Sequence, residues 1–238
     1  MKKLFRTIRA ASLLFFLFVS ASQADTIIVI GSGGGGTIPD LASGVPGFLI
    51  SDIVFAGPGV VTAVGDNVTV GLVGLSHTRV GDLRVTLELI GSGFGEINLF
   101  NRPGRFGTGN GDNSNLGGTY TYNFNNSFAG DLWAAAAALG NPGIIPGGDY
   151  FPTSADSSAE TPFSSVWNGL AVAGTWRLRV RDLRAGDLGA LGSWTVAILD
   201  DPLDDGVPEV PEPASMLLLG SGLVGLAAYR RSRFARKR

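Results

Sequence analysis

The chain has no cysteine among its 238 residues. That excludes a disulfide framework, a thiolate zinc site and a cysteine nucleophile. Lysine is nearly as scarce: it occurs only as Lys2, Lys3 and Lys237. Residues 25–213 therefore hold no Schiff-base lysine, no Ser-Lys dyad and no phosphate-loop lysine. The run Gly31-Ser32-Gly33-Gly34-Gly35-Gly36 accordingly reads as a flexible lead-in and not as a phosphate cradle. Histidine occurs once, as His77, so a multi-histidine metal centre is impossible. No Gly-x-Ser-x-Gly elbow is present, and nothing else signals that a serine, His77 and Asp82 converge as a triad. His77 reads as a strand-end residue that hydrogen-bonds locally and pins a turn.

Positive charge is concentrated at the two ends. Lys2, Lys3, Arg6 and Arg9 lie at the start, and Arg230, Arg231, Arg233, Arg236, Lys237 and Arg238 at the finish. Between them stand eight arginines against twenty acidic residues, a formal charge of −12 where the whole chain has −2. So acidic a body argues against nucleic acid as a partner. It is compatible with solubility outside the cell and with a divalent cation.

The ends read as addresses. The basic start, the apolar stretch Ala10 to Val19 and the small-x-small Ser22-Gln23-Ala24 predict a signal peptide over residues 1–24. Residues 25–37 form the lead-in. At the other end, Pro211-Glu212-Pro213 breaks any helix before the apolar run Ala214 to Tyr229. That run predicts a single membrane helix of ~24 Å, short for a hydrocarbon core of about 30 Å. Arg230, Arg231 and Arg233 can snorkel to the headgroups and hold this end in the cytoplasm. Residues 211–238 resemble the PEP-CTERM sorting signal, which an exosortase processes. The resemblance implies an exported protein: an inner-membrane-anchored precursor, then a product at the cell surface or outside the cell.

The body alternates as β-sheet does. Val68, Val70 and Leu72 form one period-2 row; Leu83, Val85, Leu87 and Leu89 a second; Trp176, Leu178 and Val180 a third; Trp194, Val196 and Ile198 a fourth. Phe48 to Phe55, Val60 to Val64, Ile97 to Phe100, Tyr120 to Phe124 and Val166 to Val172 are weaker strand candidates. The fold predicted is all-β, a two-sheet sandwich. Asn101 to Gly118 reads as a long loop. Trp133 to Leu139, with five consecutive alanines, reads as a short helix. Residues 200–210 read as an acidic linker.

Two blocks stand out. One is Ser76-His77-Thr78-Arg79-Val80-Gly81-Asp82-Leu83. The other is Gly174-Thr175-Trp176 running through Asp182 to Asp187-Leu188-Gly189 and Ser193-Trp194. With Ile38-Pro39-Asp40 in front, their order resembles the P domain (Homo B), a jelly-roll β-sandwich found beside subtilisin-like proprotein convertases. The resemblance spans residues 38–199. It implies a jelly-roll-like fold, structural Ca²⁺ with Asp40, Asp82, Asp182 and Asp187 as candidate ligands, and an alternative role beside a subtilisin-like protease. Only residues 25–37 separate the expected cleavage site from this region, which leaves no room for a catalytic domain. The bland alternative for the four aspartates is that they cap turns.

Arg177, Arg179 and Arg181 share one strand face and could contact an anionic exopolysaccharide; the plainer expectation is a solvated face paired across strands. Trp176 and Trp194 sit in core register, leaving Trp133 and Trp167 open as sugar-stacking platforms. No catalytic residue is indicated. The expectation is a non-catalytic exported module with a structural or binding role.

Overall fold

The computed structural model describes residues 26–42, 44–56, 67–140, 142–154, 157–167 and 169–200. The signal peptide, the strand candidate at 60–64, the linker beyond residue 200 and the membrane helix at 214–229 lie outside the described residues. Among those described, no helix is long and apolar enough to cross a membrane.

The described chain is mostly β and forms two sheets. The smaller has four antiparallel strands in the order β2-β11-β5-β6: β2 (Gly47–Phe55), β5 (Leu83–Ile90), β6 (Ile97–Asn101) and β11 (Gly174–Asp182). The larger is organised on β12 (Gly189–Asp200), which pairs along one edge with β1 (Thr26–Ile38) and along the other with β3 (Val68–Val73) and β4 (Ser76–His77). Gly74, at φ 67°, makes the bend that lets β3 and β4 both run along β12. Outside them lie β7 (Asn115–Leu116) and β9 (Ile144–Ile145) on β4, and β8 (Thr121–Phe124) and β10 (Gly148–Tyr150) on β3. The larger sheet thereby curls around the core.

The predicted alternation becomes the core directly. Leu83, Val85, Leu87 and Leu89 from β5, Trp176, Leu178 and Val180 from β11, and Trp194, Val196 and Ile198 from β12 are all buried. The helix predicted at the alanine run is α1 (Leu132–Leu139), begun by Asp131, whose carboxylate accepts the Trp133 N–H at 2.8 Å. The segment 101–118 is mostly loop, interrupted by the short strand β7.

Two expectations are corrected. Gly31 to Gly36 is not a flexible lead-in; it lies within β1, in antiparallel register with Leu191 to Val196. The lack of side chains is what lets this edge close. A Cβ on Gly33 would stand 2.0 Å from the Trp194 indole nitrogen, and one on Gly31 would stand 2.4 Å from Ile53. The second correction is Val166 to Val172, which opens with a single helical turn, α2 (Ser164–Trp167), instead of a strand. Phe163 and Trp167, four residues apart, pack together with ring centroids 4.9 Å apart, and Trp167 meets Trp176 edge-on at 5.0 Å.

Candidate functional site

Strand periodicity carries a carboxylate into the interior at the end of β11. Trp176, Leu178 and Val180 point inward, so Asp182 does too, and it is fully buried. Its partners are the Arg184 N–H, which donates to Oδ1 at 3.0 Å, and His77, whose Nε2 lies 3.3 Å from Oδ2. Burial pushes the Asp182 carboxyl up; the Arg184 amide and His77 pull it down, and the charge on Asp40 adds to the rise. His77 is buried as well, and its Nδ1 lies 3.1 Å from the Arg79 N–H and 2.7 Å from the Arg79 carbonyl. Both ring nitrogens are engaged, and neither touches a hydroxyl. His77 pins the turn after β4, as expected of it.

The next buried carboxylate is Asp82, in the tight turn Val80–Asp82. It is 1% exposed, and its Oδ1 has no hydrogen-bond partner. Three guanidinium groups stand just beyond hydrogen-bond reach: Arg79 at 3.8 Å, Arg102 at 3.9 Å and Arg184 at 4.0 Å. Burial first, and then the neighbouring Asp187 carboxyl, push the Asp82 carboxyl up to about 6, against the pull of Arg79 and Arg102. Arg102 reaches this place from a backbone at φ 48°, alone among described non-glycine residues in the left-handed region, and its Nε–H donates to the Gly81 carbonyl at 2.9 Å.

The other two aspartates hold the loop after β11. Asp187 accepts from the Thr78 hydroxyl at 2.7 Å, and that hydroxyl accepts the Leu188 N–H at 3.1 Å. Asp40 accepts the Gly186 N–H at 3.0 Å. The fold therefore brings Asp40, Asp82, Asp182 and Asp187 to one end of the molecule, where Asp40 and Asp187 tie down backbone as turn-capping aspartates do. Among the described residues no group of three or more His, Asp or Glu is arranged to hold a metal ion. The arginines around Asp82 gave little sequence signal: only Arg79 is close in the chain, while Arg102 and Arg184 arrive from separate loops.

The arginine row on β11 is paired. Arg177 makes a two-pronged contact with Asp52 on β2, both bonds 2.7 Å. Arg179 bonds Glu88 at 2.6 Å and also Glu96. Arg181 bonds Glu96 at 2.6 Å and stands directly across from Arg84, a like-charge pair that Glu96 bridges. Burial raises the Glu96 carboxyl, but Arg181 and Arg179 together outweigh it and hold it below the usual range. Each of the three arginines on this face is thus paired with a carboxylate of the protein itself.

The sugar-stacking expectation for tryptophan is corrected: Trp133 is 5% exposed and Trp167 fully buried. Alternation along a strand could not reveal this, since both side chains come from helical turns. The ring exposed above Trp133 is Phe106, packed edge-on with centroids 5.4 Å apart.

A comparison with curated proteins finds no match. Residues 209–232 match the PEP-CTERM protein-sorting motif, which takes in Pro211, Glu212, Pro213, Arg230 and Arg231. The chain thus carries the sorting tail of an exported, surface-directed protein with an exosortase as its processing partner.

Proposed function

We propose that the body is a non-catalytic, P-domain-like jelly roll that serves as a structural or binding module at the cell surface or in the extracellular matrix. The observation that carries this reading is the state of the chain's single imidazole. His77 is buried and bonded on both nitrogens to Asp182 and Arg79, so it has no free edge to take a proton from a nucleophile. The test is turnover by the rigorously purified chain against peptide and glycan panels. None is expected; turnover abolished by a single carboxylate substitution would overturn the proposal.

Support for the P-domain likeness comes from the way the two sequence blocks meet, His77 with Asp182 and Thr78 with Asp187, more than a hundred positions apart. It gives a second reading, an accessory to a separate subtilisin-like protease. Recovery of a serine protease bound to the native protein would favour it over binding to exopolysaccharide.

Calcium at Asp40, Asp82, Asp182 and Asp187 belongs to the same proposal. The orphaned Asp82 oxygen and the adjacent Asp187 support it, and the three guanidinium groups compete with it. Millimolar Ca²⁺ added after chelation is expected to raise the unfolding temperature; an unchanged temperature counts against the ion.

A further inference from the structure

Edge strands are usually protected against pairing with another chain by a proline, a lysine, a bulge or brevity. β2 has none of these. Nine residues long, it pairs only with β11 among the described strands, in unbroken register. Its outward row reads Phe48, Ile50, Asp52, Val54, in which Phe48 is 50%, Ile50 43% and Val54 72% exposed. The adjoining rows of the same face are the arginine–glutamate ladder, whose charges are satisfied within the protein. Among the described residues the apolar strip at the edge has no such partner.

We propose that a second copy of this chain adds to the sheet at β2, antiparallel and about a two-fold axis at Ser51. The row matches itself about Ser51, which favours a second copy as the occupant, and the charge on Asp52 selects the register. With Ser51 on the axis, Phe48 faces Val54 of the other copy, and Asp52, already neutralised by Arg177, faces Ile50. A shift that put Asp52 on the axis would set two carboxylates directly opposite and is disfavoured. The product is one continuous eight-stranded sheet across two copies, built from two four-stranded ones. Three partly exposed apolar side chains supply less than the ~800 Å² per partner of a standard interface. Main-chain hydrogen bonds along the edge add to it. The association is therefore weak and concentration-dependent, which suits a protein displayed densely at a surface.

The test uses the full chain in detergent, with mass followed by light scattering and sedimentation up to about 100 µM. Concentration-dependent dimers are expected. Phe48→Lys with Val54→Lys is expected to weaken them at least tenfold with circular dichroism unchanged, whereas Phe106→Lys, at a still more exposed ring, leaves them intact. Because the chain has no cysteine, register can be read separately. Phe48→Cys combined with Val54→Cys should cross-link into dimers on mild oxidation, and Val54→Cys alone should not. A chain that stays monomeric, a dimer indifferent to the lysine pair (association through the tail or another surface), or equal cross-linking by Val54→Cys alone would each overturn the proposal.

Discussion

Replacing Gly33 by alanine isolates one contact within the larger sheet, between β1 and Trp194 of its partner strand β12. The added methyl would stand 2.0 Å from Trp194 Nε1 and 2.6 Å from its Cε2. Trp194 cannot step aside cheaply. It is fully buried, and its Nε1–H donates to the Ser51 hydroxyl at 2.8 Å, which in turn donates to the Gly34 carbonyl at 2.6 Å. Overpacking of this kind costs about 1–3 kcal/mol, and a lost indole hydrogen bond about 1 kcal/mol more. At about 2–4 °C per kcal/mol for a domain of this size, the melting temperature should fall by roughly 5–15 °C. Gly34→Ala, one residue away, is the control: nothing lies within 4 Å of its added Cβ. Urea and thermal unfolding of the two variants side by side give the answer. If Gly33→Ala is as mild as Gly34→Ala, β1 is not packed on Trp194 and the strand assignment fails.

Other expectations follow from charge. Glu96→Gln removes the carboxylate that holds Arg84, Arg179 and Arg181; a loss of about 1–2 kcal/mol is expected, smaller at high salt, and a salt-independent loss would contradict the ladder. Asp82 has a folded pKa of about 6, above its ordinary 3.8, so the folded state binds the extra proton between those values. Its contribution is present at low pH and is lost as pH rises through about 6, by on the order of 3 kcal/mol. Asp82→Asn should flatten that fall in urea titrations run from pH 4 to 7; a wild-type chain that gains stability over this window through Asp82 would refute the assignment.

Legibility in the sequence tracked the side chains. β3, β5, β11 and β12 announce themselves because large apolar residues alternate with polar ones. In β1, Gly31 and Gly33 face inward against Ile53 and Trp194, but glycine has no hydropathy to display, so the segment reads as a linker. The Val166–Val172 run misled for the opposite reason: Phe163 and Trp167 bury one face of a single helical turn, too short to show a period. The site was half visible. The His77 and Asp182 blocks could be named, but their contact, and the meeting of Arg79, Arg102 and Arg184 around Asp82, depend on strand register and loop paths that no local pattern encodes.

Sorting of the exported body to the cell surface depends on its tail. Surface exposure and tail length of the native protein can be compared with those of a variant carrying Pro211→Ala, Glu212→Ala and Pro213→Ala. The body is expected outside and shortened in the wild type, and retained full-length in the inner membrane in the variant. Equal surface exposure and equal length in both would contradict it.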